Sequence, residues 1–326
     1  MSFENRHLSF LYPSKVNRHD RDPAGVKERR EKIKDMWVSI QNVLIYAFIL
    51  GSIYLLVSLG FSIICGVLRI FHLGYAYIFP VTIYATWLFL KTLGWDLIPA
   101  IFGMVAVQFI IAYLIYIGVI KRYLESELEM LISLLVITAI IEQAINYQFP
   151  IQEGVDLKTT LVEGTTKIGS VIVPTQLLIG SFIGLILTGF FVLFFIKTRI
   201  GLAIRAISQS IYSSRIVGIN VESLYIFTMM LVLVPVIIGT LLIAPVWTID
   251  PQMGQLYMFT AILIAVLGGL GNMKGTIMAS FLIGAVHAFV CFVVGEPKFM
   301  TLSALLLVTF VLILRPQGLT RSESLW

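Results

Sequence analysis

The chain has 326 residues, 58% of them hydrophobic and 13% charged, with a mean hydropathy of +0.95 and a formal net charge of +5. That composition excludes an ordinary soluble domain, and apolar runs recurring almost to the C-terminus predict an all-α, polytopic helical membrane protein of about eight to nine transmembrane segments. A β-barrel is excluded because its strands alternate apolar with polar residues, and the positive charge is that of cytoplasmic loops, with no nucleic-acid partner implied.

Residues 1–36 form a charged N-terminal extension with nine Lys/Arg and six Asp/Glu. From Asp22 to Asp35 the signs mix at helical spacing (Lys27/Glu31, Glu28/Lys32), which predicts a solvated or membrane-surface helix. It has no apolar core, so no cleavable signal peptide is expected. The transmembrane domain occupies 37–320, and 321–326 is a short tail. Residues 38–68 are apolar; as one helix they measure about 46 Å, too long for one perpendicular span and too short for two. Gly51, Gly60 and Gly66 are places to tilt, kink or break that run. Arg69 is expected to snorkel to the nearer interface.

Further spans are predicted over 75–90, 97–119 and 128–149, the last stopped by Pro150. Residues 150–172 carry Glu153, Asp156 and Glu163 and read as an external loop. A fifth span covers 173–196 and a sixth 221–246, with Pro235 inside it. Between them, 197–220 is the one long polar segment, with Lys197, Arg199, Arg205 and Arg215 and no acid. Gly201 and Gly218 bracket a predicted short helix with Ile204, Ile207 and Ile211 on one face and Arg205, Ser208 and Tyr212 on another. Beyond it, Phe259–Leu267 runs into the Gly-rich turn Gly268–Gly275, and apolar chain resumes at Ile277–Val294 and 299–314.

Basic residues mark 121–122, 197–215 and 315–321 as cytoplasmic, and alternating spans agree with all three. The same alternation places 1–36 outside, whereas its net charge of about +3 argues for inside. Either side stays open at this point.

Chemical motifs are scarce. Cys65 and Cys291 lie in apolar runs, and neither a disulfide framework nor a zinc site is indicated. The Gly268–Gly275 turn lacks the Walker spacing, since Lys274 follows Met273, and its glycines do not fit a dinucleotide fingerprint. It is either a tight connection between closely packed helices or, with Gly66–Gly74, one of two helix breaks at corresponding places of two halves. Glu142, with Gln143 and Asn146, is either an inter-helix polar contact or a pathway residue. His72 and His287 have no second ligand at helical spacing and read as packing residues; no metal or cofactor is expected. Hydrolase and metalloprotease motifs are missing, so a transporter is expected and an enzyme is not. An ion-coupled secondary transporter is the alternative, although Glu142 is the one carboxylate available to it.

Several motifs carry a resemblance. Gly201, Arg205-Ala206 and Gly218-Ile219 have the spacing of a cytoplasmic loop in permeases of branched-chain amino acid ABC importers. Val266-Leu-Gly-Gly-Leu-Gly271 with Gly275 resembles that family's Val-Leu-Gly-Gly-Ile-Gly pattern, with Lys274 in place of a proline. Arg315-Pro-Gln-Gly-Leu319 resembles its terminal Arg-Pro-x-Gly-Leu. Ile70-Phe-His-Leu-Gly74 stands where the family reads Asn-Phe-Ala-His-Gly, keeping Phe71 and Gly74 and moving the histidine to His72. Glu142-Gln143 stands where it shows Gln-Asn.

The resemblance implies a permease subunit without its own nucleotide site, in a prokaryotic plasma membrane. It would work with ATP-binding subunits, a second permease (a copy or a paralogue) and an extracellular solute-binding protein. It implies ATPase coupling through Gly201, Ile204, Arg205, Ala206, Ile207, Ile211 and Gly218. A pathway past Phe71, His72, Gly74, Glu142, Gly268, Gly269, Gly271 and Gly275 would carry branched-chain or related small amino acids, amides or urea by alternating access.

Overall fold

The computed structural model describes residues 23–124 (23–27 as backbone), 126–149, 162, 164–244 and 250–320. Contacts divide the chain into two units, Met1–Ile40 and Gln41–Trp326. In the first, Lys32 and Glu28 pair at 2.6 Å one helical turn apart, as their spacing predicts; residues 1–22 lie outside the described residues.

Eight helices among the described residues are long and apolar enough to cross a membrane, and a shorter apolar helix accompanies them. The first, α1 (Pro23–Leu68), is one unbroken helix. From Ile49 to Leu68 nearly every side chain is buried, because a helix that is apolar all round is stable at the centre of a bundle. The glycines predicted to bend or break it serve instead where neighbours come close. A Cβ on Gly284 would stand 2.6 Å from the Gly51 backbone nitrogen, and one on Gly60 would meet the Tyr75 hydroxyl at 2.6 Å. Ser52 and Ser58 return their hydroxyls to the Phe48 and Tyr54 carbonyls at 2.8 and 2.7 Å, so no hydroxyl is stranded at these two sites.

The helix stops at Arg69, whose φ of 55° is left-handed. A 3-10 turn, Leu73–Tyr77, then leads into α2 (Ile78–Trp87). The break predicted over Gly66–Gly74 is therefore real, although α1 runs on past Gly66 to Leu68 before it. Next come α3 (Leu97–Ile115) and α4 (Glu127–Gln148). Of the loop predicted over 150–172, 150–161 fall outside the described residues, but its end folds as a hairpin. Strands β1 (Thr165–Ile168) and β2 (Val171–Pro174) pair antiparallel with Thr166 opposite Val173. Val171 and Val173 are buried in one cluster with Ile49 and Ile53 of α1, which pins the hairpin to the bundle.

The remaining spans are α5 (Thr175–Lys197), α8 (Val221–Ile243), α10 (Met273–Phe289) and α11 (Met300–Leu314). Helices α6 (Arg199–Gln209) and α7 (Ile211–Ile216) lie between α5 and α8, and α9 (Met253–Gly268) precedes α10. One large core cluster joins α1 to residues from α2, α3, α4, α5, α6, α8 and α9. The bundle is thus arranged around α1.

Candidate functional site

The polar stretch between α5 and α8 is built by a succession of caps. Thr198 leaves α5 extended, and its hydroxyl accepts from the Gly201 N–H at 3.0 Å to start α6. A Cβ on Gly201 would run into the Phe194 and Phe195 carbonyls, so only glycine lets the chain fold back this closely on α5. The predicted single helix is in fact two, because Ser210 is extended between them. Its hydroxyl accepts from the Ser213 N–H at 3.2 Å and begins α7. Gly218, at φ +88°, closes α7, and Asn220 caps α8 through the Ser223 N–H at 3.1 Å.

The apolar face of this stretch points the other way from expectation. Ile204 and Ile207 are fully buried in the protein's own core, in the cluster that holds Phe195, Val221 and Tyr225. They are not available to a partner's groove. Ile211 belongs to the outer side with Leu202, Tyr212, Ile216 and Val217, exposed by 61%, 78%, 69% and 79% for the last four. The physical reason is that a helix tied to the ends of α5 and α8 needs an inner apolar face to stay against the bundle. Arg205 supports that seat by donating to the Ile196 carbonyl at 3.1 Å, and Ala206 is half-buried beside it.

Arg69 does not snorkel. Its guanidinium donates to the Ser208 and Gln209 carbonyls at the C-terminus of α6. Lys121 pairs with Glu222 at the start of α8, which brings the basic 121–122 turn to the same end of the bundle as α6 and α7. Both segments were predicted cytoplasmic on charge alone.

A second feature lies where the 3-10 turn meets α4 and α9. Leu73 and Ala76 from the turn, Leu135, Val136, Thr138 and Ala139 from α4, and Gln255, Met258 and Phe259 from α9 line an open cleft of about 360 Å³. Glu142, one turn beyond Thr138, is 5% exposed, and its Oε2 accepts from Gln255 Nε2 at 2.8 Å. Its Oε1 and the Thr138 hydroxyl have no hydrogen-bond partner. His72 is buried beside the turn with both ring nitrogens unpartnered. A Cβ on Gly74 would stand 2.9 Å from His72 Cε1 and 3.2 Å from Leu134 Cδ2. Leu134, Thr138 and Glu142 thus share one face of α4, and His72, from the turn before α2, lies at its Leu134 end. Phe71 is part-exposed, its ring 6.5 Å from that of Phe61.

The Gly-rich turn is elsewhere. Phe259 lines the cleft and Gly268 ends α9 nine residues on, about 14 Å along a helix. None of Gly268, Gly269, Gly271 or Gly275 lines the cleft. Gly268 and Gly275 lie backbone against backbone, where a Cβ on Gly268 would be 2.5 Å from the Gly275 carbonyl carbon. Gly269 and Gly271 have φ of +97° and +77°, and the Asn272 side chain accepts from the Gly275 N–H at 3.1 Å to start α10. The C-terminal segment closes over the turn: Leu319 N–H donates to the Leu267 carbonyl at 2.8 Å and the Thr320 hydroxyl to the Gly268 carbonyl at 2.6 Å. Of the two readings of this turn, tight helix packing fits its surroundings.

Sequence reasoning missed Gln255 and Thr138. Gln255 precedes the apolar run that begins at Phe259, and a lone threonine in a span ordinarily bonds back to its own helix. It also missed the Arg69–α6 clasp, which joins residues 139 positions apart.

Residues 43–314 match the family described as branched-chain amino acid transport system / permease component. The chain is 24% identical over 290 residues to the high-affinity branched-chain amino acid transport system permease protein BraD of Pseudomonas aeruginosa, covering 85% of this chain and 94% of that protein. Among solved structures, PsaBC from Streptococcus pneumoniae in complex with Fab is similar at a TM-score of 0.48 and 17% identity, over 86% of this chain and 92% of that one.

Proposed function

The chain belongs to the family of permease components of branched-chain amino acid transport systems, and from that premise we propose which of its surfaces do the work. As a member it is a multi-pass plasma-membrane permease subunit of an ABC importer, which sets aside the ion-coupled secondary transporter. The proposal is that α6 and α7 dock on the ATPase through their outer side chains, Leu202, Ile211, Tyr212 and Ile216, together with Val217 just past α7. The cleft between the 3-10 turn, α4 and α9 is the solute route, and the solute is a small neutral amino acid. The permease holds no nucleotide site of its own, works beside a second permease, and receives solute from an extracellular binding protein.

The observation that carries this reading is the split of the stretch into two faces. Its inner isoleucines hold it to the bundle, while large apolar side chains stay exposed on a segment outside the spans. Exposed apolar side chains grouped this way mark interaction sites. For the route, the Thr138 hydroxyl on the cleft wall is a polar atom not used in packing, and unpartnered polar atoms of Glu142 and His72 are buried close to that wall, as a polar solute crossing a bundle requires.

The test is purification of the chain from its membrane with its partners, followed by mass spectrometry and reconstitution. An ATPase with a Walker motif should co-purify, and vesicles carrying the complex should take up leucine only with ATP and binding protein. Leucine uptake that proceeds without any ATPase overturns the proposal.

A further inference from the structure

We propose that Glu142, held by Gln255 beside the α4–α9 wall of the cleft, is a recognition site for the ammonium group of an aliphatic amino acid; this rests on the cleft being the solute route. A carboxylate in the interior of a membrane bundle is costly unless paired or hydrogen-bonded. Glu142 is satisfied on one oxygen only: Gln255 Nε2 donates to Oε2 at 2.8 Å, and Oε1 has no partner. No basic side chain pairs with it among the described residues. The Thr138 hydroxyl, one turn away on the same face and itself on the cleft wall, is also buried and unpartnered.

The arrangement asks for a cationic donor. An ammonium group brings three N–H donors and no acceptor, enough for Glu142 Oε1 and the Thr138 hydroxyl at once. Leu73, Leu135, Met258 and Phe259 give the rest of the cleft an apolar wall, suited to an aliphatic side chain. A cleft of about 360 Å³ falls within the usual range of small-molecule sites, roughly 300–1,000 Å³. Gln255 is a positioning residue here, because it fixes the carboxylate plane and leaves Oε1 free.

The experiment is saturation-transfer NMR on the permease–ATPase complex in lipid nanodiscs, without binding protein. The probes are leucine, its decarboxylated amine 3-methylbutylamine, and its deaminated acid 4-methylpentanoate. Leucine and the amine should bind the unsubstituted complex and the acid should not. Glu142→Gln, which keeps the shape and a bond to Gln255, should weaken leucine about ten-fold through loss of a charge-assisted contact. Thr138→Val, nearly isosteric, should weaken it about three-fold.

Leucine binding to Glu142→Gln at the unsubstituted level overturns the inference, as does binding of the acid as strong as that of the amine. If Glu142→Gln does not assemble, Thr138→Val and the ranking of the three probes on the unsubstituted complex decide the matter. Failure here leaves ATP-dependent uptake intact, whereas failure of the importer reading removes it.

Discussion

The guanidinium of Arg69 closes over the end of α6, reaching the Ser208 carbonyl oxygen through Nη2 at 2.7 Å and through Nε at 3.2 Å, with Gln209 as a further acceptor at 3.2 Å. The last carbonyls of a helix have no partner within it and carry the negative end of its dipole, so a cation there is doubly favourable. Arg69 is also the one non-glycine residue with positive φ among those described, a conformation that costs an L-residue roughly 1–2 kcal/mol. That cost is accepted at the point where α1 ends and the 3-10 turn beside the cleft begins. Arg69 thus joins the proposed ATPase-docking stretch to the turn whose Leu73 and Ala76 line the proposed route.

Arg69→Ala should therefore uncouple the two ends. We expect the assembled complex to form, ATP hydrolysis to continue, and leucine moved per ATP to fall several-fold, since two to three charged hydrogen bonds of roughly 1.5–3 kcal/mol each, discounted for partial exposure, are lost. Arg69→Lys keeps the charge but not the fork and should recover only part of the ratio. An unchanged ratio in Arg69→Ala would reduce the clasp to local packing.

The inner and outer faces of α6 and α7 make a second prediction, by contrast. Ile207→Asp puts a charge into the core beside Phe195 and Tyr225. It should lower the melting temperature and the yield of folded permease, with a penalty of several kcal/mol. Val217→Asp lies in the open and should leave the melting temperature within a degree or two, yet lower ATPase retained in a pull-down by about ten-fold if this side is the dock. Equal retention by Val217→Asp and the unsubstituted protein would move the dock elsewhere.

How much of this was legible in the sequence depends on how local the cause is. The membrane class, the span limits near Glu127–Gln148 and Thr175–Lys197, and the break after Leu68 come from composition, runs and stop residues, all readable over short windows. The direction of a face is not. Ile204 and Ile207 fall on one side of α6 by periodicity, but whether that side meets this chain or another depends on where α5 and α8 put the helix. Glycines mislead in the same way: Gly51 and Gly60 look like hinges in α1, and their use is set by Gly284 and Tyr75 from distant segments. The Glu142–Gln255 bond and the Arg69 clasp join residues 113 and 139 positions apart, a pairing no single-sequence pattern shows.

The Gly-rich turn gives the last prediction, which separates packing from pathway. Gly275 lies so close to the Gly268 carbonyl that a methyl group there would overlap it, and also the Thr320 hydroxyl that bonds the same carbonyl. Backbone on both sides of the contact cannot yield as a flexible side chain would. Gly275→Ala should therefore part α9 from α10 and dislodge Leu319 and Thr320, at a cost of about 1–3 kcal/mol for overpacking. Gly271→Leu adds a bulky side chain at φ +77°, where the left-handed conformation alone costs roughly 1–2 kcal/mol. For both variants, folded permease measured by size-exclusion profile and leucine uptake measured in vesicles should fall together, so that uptake per assembled complex stays near that of the unsubstituted protein. Uptake per complex that drops several-fold while the amount of complex holds would return this turn to the solute route, and the cleft beside Glu142 would then be only part of it.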